Sequence, residues 1–528
     1  MAQIRKKVDK GIAYLKRNGV CQTCHRAYRK VVNKKPVNYE HWLKRHSASK
    51  RELQVQRERQ IPGAPQIQVV IYQGRMENTE LARQKTLESL KSQTYRQYVI
   101  WQEVEAVSAG EQGERYVLYI PAGVSLLPEA LYEFVRAIGK NLRREMIYCD
   151  QDEVTPDGKH FKNPFLKPKF DPVFWQEMDY IGPVVMLSDR TGLPGGAELT
   201  QKELYEIIHR HNFQNKKVYR IPKVLYHVPW NGDVTSQSPY VKENIMEKQS
   251  LLSVIIPNKD YGAGLWECVT SLIHMGGYEN LEILVVENNS VQKETFQYYQ
   301  RLMMQYPVVR ILRYTGEFNY SLINNEAVKQ AKGEFLLFLN NDTKVKKTES
   351  ILEMMKWAHS NKAGAVGACL TYEDGTVQHG GVVLGYGGIA GHAFEGMQEE
   401  AYHQLRYGTY ARQMAAVTAA CMVVKRDVFE KVGGFDPELG VAYNDIDLCM
   451  KIRKKGWQVI YDPQAEFYHY ESQTRGLEMT REKAERVKKE AALFCERWKM
   501  ELMTGDPFYH PKLTLEKSDF SLNRWRSL

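Results

Sequence analysis

The stretch GEFLLFLNNDTKV (Gly333–Val345) places an unbroken apolar run, Phe335–Leu339, directly before three oxygen-bearing side chains, Asn340, Asn341 and Asp342. A short apolar run bounded by polar residues is the pattern of a strand covered on both faces. A carboxylate at the end of such a strand is costly unless it is paired or holds a cation. The cluster is therefore either a turn or a site.

The chain contains a second version of this stretch. YVLYIPAG (116–123) resembles FLLFLNND (335–342), and the likeness extends outward on both sides. IQVVIYQG (67–74) resembles LLSVIIPN (251–258), SLKSQTYRQYVIW (89–101) resembles SLIHMGGYENLEILVV (271–286), and TPDGK (155–159) resembles YEDGT (372–376). The spacing changes once, as if the first copy had lost a segment after its second strand. Strands alternating with helices predict α/β units with parallel pairing. Two related α/β domains joined around 235–250 are the simplest reading. The first copy ends its strand in Pro121-Ala122-Gly123, which turns the chain but offers no cation ligand.

The expected divisions are a basic helical region at 1–60, an α/β domain at 67–235, a second at 250–476 and a helical extension at 477–528. At 528 residues, several domains are expected. The charge is uneven: residues 1–60 hold 17 Lys and Arg against 4 Asp and Glu, whereas the formal charge of the whole chain is +10. A basic arm on a near-neutral body points to an anionic surface, phospholipid or nucleic acid, or to a solvated helical face. No apolar run long enough for a transmembrane helix and no signal peptide is read. Cys21 and Cys24 (CQTCH) fall on one helical face with Tyr28 and Val31, so they read as packing rather than half of a zinc site. Reduced thiols and a cytoplasmic location fit this cysteine usage.

Open α/β sheets bind ligands at the carboxyl ends of their strands. Three strand ends of the second domain are polar: Pro257-Asn258-Lys259-Asp260, Glu287-Asn288-Asn289-Ser290 and Asn340-Asn341-Asp342. Each alone is ordinary turn chemistry, but three in one sheet suggest a shared pocket. Farther along, Asp445, Leu448, Cys449 and Ile452 fall at helical spacing, so Asp445 opens the inward stripe of a helix ending at Lys454-Lys455-Gly456.

LLSVIIPNKD, LVVENNS, INNEAVKQAKGEFLLFLNNDTKV, VTAACMVVKRDVFEKVGGFD, YNDIDLCMKIRKKG and YHYESQTRG, in this order, resemble the motifs of glycosyltransferase family 2, and most closely its bacterial rhamnosyltransferase-like members. DQDEVTPDGKHFKNPFLKPKFDP, IPKVLYHV and the tail GDPFYHPKLTLEKSDFSL look like those of its two-domain members. The resemblance implies two tandem GT-A-like (Rossmann-like) α/β domains, the first degenerate, with a helical N-terminal arm and a C-terminal tail. It also implies inverting transfer of a sugar from a nucleotide diphosphate, with Mg²⁺ or Mn²⁺ as cofactor.

By this resemblance, Asp342 and His469 bind the metal and Asp445 is the general base. Pro257, Lys259, Glu287, Asn288, Asn325, Asn341 and Arg475 face the nucleotide sugar, and His379 and Asn444 fall on the acceptor side. Asn340 replaces the first Asp of the family's Asp-x-Asp motif, and Asn444 replaces a Glu that usually precedes the base. The loss of a charged ligand should weaken metal affinity. Asp150 and Asp152 of the first domain are read as acceptor contacts or a solvated turn. The implied partners are a nucleotide-diphosphate sugar, a saccharide or polyprenyl-linked acceptor and an anionic membrane surface; nucleic acid is disfavoured. A non-catalytic nucleotide-sugar-binding scaffold is the competing reading. A processive synthase is disfavoured because FCERW and SLNRW lack the Gln of the expected motif.

Overall fold

The computed structural model describes residues 37–73, 79–101, 115–139, 144–188, 199–211, 213, 217–230, 249–470 and 480–524. The linker around 235–250 falls largely outside them, as do Cys21, Cys24 and Arg475. Two large sheets carry the chain. The first runs Tyr98–Trp101, Ile67–Tyr72, Tyr116–Pro121, Val185–Ser188, Met146–Val154, Val218–Pro229, Ser125–Leu126. The second runs Val309–Arg313, Leu281–Glu287, Leu252–Asn258, Phe335–Leu339, Cys421–Lys425, Ala363–Thr371, Gln458–His469, Thr343–Val345.

The two orders match strand for strand and in sense. The matching strands Tyr116–Pro121 and Phe335–Leu339 are each parallel to the first strand of their domain and antiparallel to the next strand across the sheet. The edge strand Val309–Arg313 has no counterpart among the described residues of the first domain. It lies in the interval where the repeat spacing changed.

Phe335–Leu339 is buried along its whole length because it has a strand on each side, Leu252–Asn258 and Cys421–Lys425. Each such side chain contributes about 1.5–3 kcal/mol by leaving water. The strand before it in sequence order is reached through the helix Tyr320–Gln330, capped by Asn319, whose side chain accepts from Leu322 N at 3.0 Å.

The first domain is fastened to the second and to both ends of the chain by buried acids. Asp171 caps the short helix Pro172–Glu177 and also accepts from Gln413 N (2.7 Å) and Gln413 Nε2 (3.0 Å) across the domain boundary. Asp150 bonds His510 Nε2 at 2.9 Å. Asp152 accepts from Tyr39 OH at 2.5 Å and contacts His227. Both acids are fully buried, so they neither solvate a turn nor face an acceptor; they anchor the C-terminal tail and the Tyr39–His46 helix. The N-terminal region is helical at Tyr39–His46 and Lys50–Glu58. The C-terminal extension is helical only through Arg481–Arg497 and Lys499–Thr504. Beyond them Gly505, Pro507 and Pro511 end helix formation and the tail packs as turns.

Candidate active site

In the second domain, the three parallel strands Leu281–Glu287, Leu252–Asn258 and Phe335–Leu339 are neighbours, so their carboxyl ends meet. One hydrogen-bonded network ties them. Asn258 Oδ1 accepts from Asn341 Nδ2 at 2.6 Å, its backbone carbonyl accepts from Asn288 N at 2.9 Å, and its Nδ2 donates to Tyr299 OH at 2.8 Å.

Behind the Phe335–Leu339 end, Thr343–Val345 pairs antiparallel with the end of Gln458–His469, placing Thr343 opposite His469. That pairing brings His469 Nε2 to 3.2 Å from Asp342 Oδ1. His469 Nδ1 donates to Gln378 Oε1 at 2.7 Å, and Nε2 accepts from Asn340 Nδ2 at 3.1 Å. With Nδ1 donating to Gln378, Nε2 is left as the acceptor nitrogen beside Asp342. A second-residue hydrogen bond of this kind holds ligating histidines in other metal sites. Asp342 is buried, and its Oδ1 has no hydrogen-bond partner. Two acceptors facing one another at this distance, one of them an unsatisfied buried carboxylate oxygen, fit a divalent cation of the Mg²⁺ or Mn²⁺ type.

The helix Asn444–Lys454 supplies the opposite wall. Leu448, Cys449 and Ile452 are fully buried, as their spacing requires. Tyr443, at the helix start, is held at φ 62°, a left-handed conformation that costs a non-glycine residue about 1–2 kcal/mol. Asp445 accepts from Ala419 N at 3.2 Å and from its neighbour Ile446 N at 2.8 Å. Asn444 is buried, and its Nδ2 has no hydrogen-bond partner. Asn340, His469, Gln378, Asn444 and Asp445 line one cavity of about 310 Å³. Its remaining wall includes Tyr320, Tyr372, His392, Glu395 and Thr418–Ala420. The unpaired Asn444 donor on the cavity wall, with the unpaired Asp342 acceptor against His469, gives polar ends that a ligand would satisfy.

The cavity joins Asp445, His469 and Asn444, with Asp342 against His469. Pro257, Lys259, Glu287 and Asn288 lie at the adjoining strand ends, outside the cavity lining. Glu287 Oε1 accepts from Ser290 N at 2.6 Å, and Asn288 Nδ2 donates to the carbonyls of Tyr314 and Gly316. Three expectations change. Asn341 is occupied by Asn258, as above, so its amide is a brace between strands. His379 is fully buried behind the wall, its Nδ1 at 2.8 Å from His392 Nδ1 and its Nε2 accepting from Thr418 N at 3.4 Å. Burial, with His392, His469 and Arg412 nearby, holds it well below the usual histidine range. His392 lines the cavity instead.

Asn325, the third, donates to Phe435 O at 2.8 Å and accepts from Phe435 N at 3.0 Å. It clamps a distant turn. Asn325→Ala should therefore lower stability by about 1–3 kcal/mol, read as a lower urea midpoint, with donor KM unchanged. A raised donor KM at unchanged stability would return Asn325 to the diphosphate.

Gln378 and His392 were not singled out from sequence. The signal for Gln378 was alternation in Val377–His379, which sends it and His379 to opposite faces. His392 carried no spacing signal.

Residues 253–433 match the family model described as glycosyl transferase family 2. The chain is 32% identical over 465 residues to the uncharacterized protein y4gI of Sinorhizobium fredii, covering 78% of this chain and 50% of that protein. It is 31% identical over 451 residues to the O-antigen biosynthesis protein RfbC of Myxococcus xanthus, covering 78% of this chain and 34% of that protein. A shorter match, 34% over 76 residues, is to the N-acetylglucosaminyl-diphospho-decaprenol L-rhamnosyltransferase of Mycobacterium tuberculosis and covers 14% of this chain and 25% of that enzyme. The chain spans half or less of the length of these relatives.

Proposed function

We propose, from the match of residues 253–433 to the glycosyl transferase family 2 model, that this chain moves a sugar from a nucleotide-diphosphate sugar to a saccharide or lipid-linked acceptor in bacterial cell-surface polysaccharide synthesis, with inversion. The observation that carries the reading is the single cavity shared by Asp445 and His469, with the unsatisfied Asp342 Oδ1 beside it. In the transfer, the acceptor oxygen bonds to the anomeric carbon as the bond from that carbon to the phosphate oxygen breaks. The diphosphate leaves with the bonding pair. Asp445 takes the proton of the attacking hydroxyl. Asp342 and His469 would hold Mg²⁺ or Mn²⁺, which supplies positive charge to the departing diphosphate. Gln378 fixes the imidazole so that Nε2 faces inward, and Asn444 Nδ2 offers a donor to a sugar hydroxyl.

The acceptor class is supported by the printed name of the Myxococcus relative, and rhamnose as the sugar by that of the mycobacterial one. Among the described residues, no helix is long and apolar enough to cross a membrane. The basic residues 1–60, with 17 Lys and Arg against 4 Asp and Glu, suit peripheral contact with anionic lipid at the inner membrane face. The first domain fits a non-catalytic module. His227 pairs across from Ser125 much as His469 pairs across from Thr343, but Gly123 follows the strand where Asp342 would stand.

The test is a panel of nucleotide sugars with Mn²⁺, Mg²⁺ or a chelator, read by thermal shift and by release of nucleoside diphosphate. A donor that stabilises the protein only with metal, and is consumed when a saccharide acceptor is added, is expected. Stabilisation without turnover for any donor and acceptor would favour the scaffold reading instead.

A further inference from the structure

We propose that a second cavity, where the two domains and the C-terminal tail meet, is a saccharide subsite for acceptor sugars remote from the reacting hydroxyl; the inference rests on the transferase reading above. This cavity holds about 410 Å³, within the about 300–1,000 Å³ common for small-ligand pockets. Phe165 of the first domain, Tyr407 of the second and Phe520 of the tail give it aromatic surface, and Thr514, Lys517 and Asp519 give it polar groups. A sugar ring has an apolar C–H face and an edge of hydroxyls. It needs flat apolar surface together with both donors and acceptors, and this wall supplies all three. An isoprenoid tail needs a long apolar trough, which an ammonium, a carboxylate and a hydroxyl interrupt.

Backbone strain marks the same place. Phe394 and Phe520 are held at φ 61° and 55°, a region that bulky residues rarely enter and that costs about 1–3 kcal/mol each. Their rings lie 4.5 Å apart. Phe520 lines the cavity, and the buried Arg412 guanidinium lies 5.3 Å from the Tyr407 ring and 6.0 Å from that of Phe520.

The tail also bonds to the wall of the reaction cavity. Phe394 N donates to Ser518 O at 2.6 Å, and Ser518 Oγ donates to Glu395 O at 3.2 Å. Glu395 lines the reaction cavity, while Lys517 and Asp519 flank Ser518 and line the second one. In the proposal, an acceptor of several sugars that presents its terminal hydroxyl to Asp445 places its earlier sugars beside the tail.

The test uses the full chain without donor, so that nothing turns over. The probes are free di- and trisaccharides of L-rhamnose and of N-acetylglucosamine, with farnesyl phosphate as the isoprenoid probe. A saccharide of one series is expected to slow amide exchange across residues 513–522. Ser521→Trp, which fills the cavity, should weaken that binding by about tenfold or more, and Lys517→Ala should weaken it less. The exchange measurement on the unaltered chain decides the matter even if Ser521→Trp does not fold. The proposal is overturned if no saccharide binds, if protection appears only around 418–445, if both variants bind as the parent does, or if farnesyl phosphate alone protects 513–522. Protection by a saccharide without transfer from any nucleotide sugar would sink the transferase reading and leave the subsite standing; transfer without protection would do the reverse.

Discussion

Asp445→Asn should slow sugar transfer by about 10²–10⁴-fold, the usual contribution of a general base, while donor binding with Mn²⁺ stays near the parent value. The amide cannot take the hydroxyl proton. Its oxygen can still accept from Ile446 N, but its Nδ2 then opposes the Ala419 N–H that Asp445 Oδ2 accepts from. That mismatch costs about 1 kcal/mol of stability and leaves the fold in place. The measurement is a pair: kcat with saturating acceptor, and the donor-induced thermal shift. A loss confined to kcat supports the base. Turnover within tenfold of the parent would remove Asp445 from the reaction, and loss of donor binding would make it a donor-side group.

Asp342→Ala should abolish the metal-dependent part of donor binding and lower kcat/KM by about 10³-fold, in line with the several kcal/mol that a divalent cation contributes to a leaving group of this charge. The buried carboxylate has an oxygen without a partner, so its removal should not destabilise the protein; relief of the Asp342–His469 juxtaposition should hold or raise the melting temperature without metal. Gln378→Leu tests the same site from behind. It removes the acceptor for His469 Nδ1 and should weaken Mn²⁺ affinity by about 10–100-fold. Chelator treatment should reproduce the Asp342→Ala result on the unaltered chain. Equal donor binding by parent and Asp342→Ala, with and without Mn²⁺, would dismiss the metal site.

The α/β class and the tandem repeat of two similar sheets were legible in the sequence because they rest on local signals. Apolar runs such as Phe335–Leu339 mark doubly covered strands, and their recurrence at Tyr116–Pro121 marks the second copy. The helix from Asn444 to Lys454 was legible for the same reason, since Leu448, Cys449 and Ile452 recur at helical spacing. The motif order carried the resemblance to glycosyltransferase family 2, which the family model matches over residues 253–433.

The employment of individual polar side chains was not legible, because it depends on what lies opposite in space. Asn325 and Asn341 are amides near motif positions, yet Phe435 and Asn258 claim them. Asp150 and Asp152 resemble a solvated pair until His510, Tyr39 and His227, drawn from distant parts of the chain, surround them.

Sequence by itself determined the strands and the repeat, because the alternation of apolar and polar residues along a chain is fixed before any long-range contact forms; the candidates Asp342, His469 and Asp445 came from the resemblance of the motifs to those of glycosyltransferase family 2. Only the tertiary structure decided that Asp445 and His469 line one hollow with Asp342 against His469, that His392 rather than His379 lines it, and that the tail returns to wall a second cavity. Those outcomes depend on strand order and on pairing between residues up to hundreds of positions apart, such as Thr343 with His469, and no local pattern encodes which distant partner will arrive.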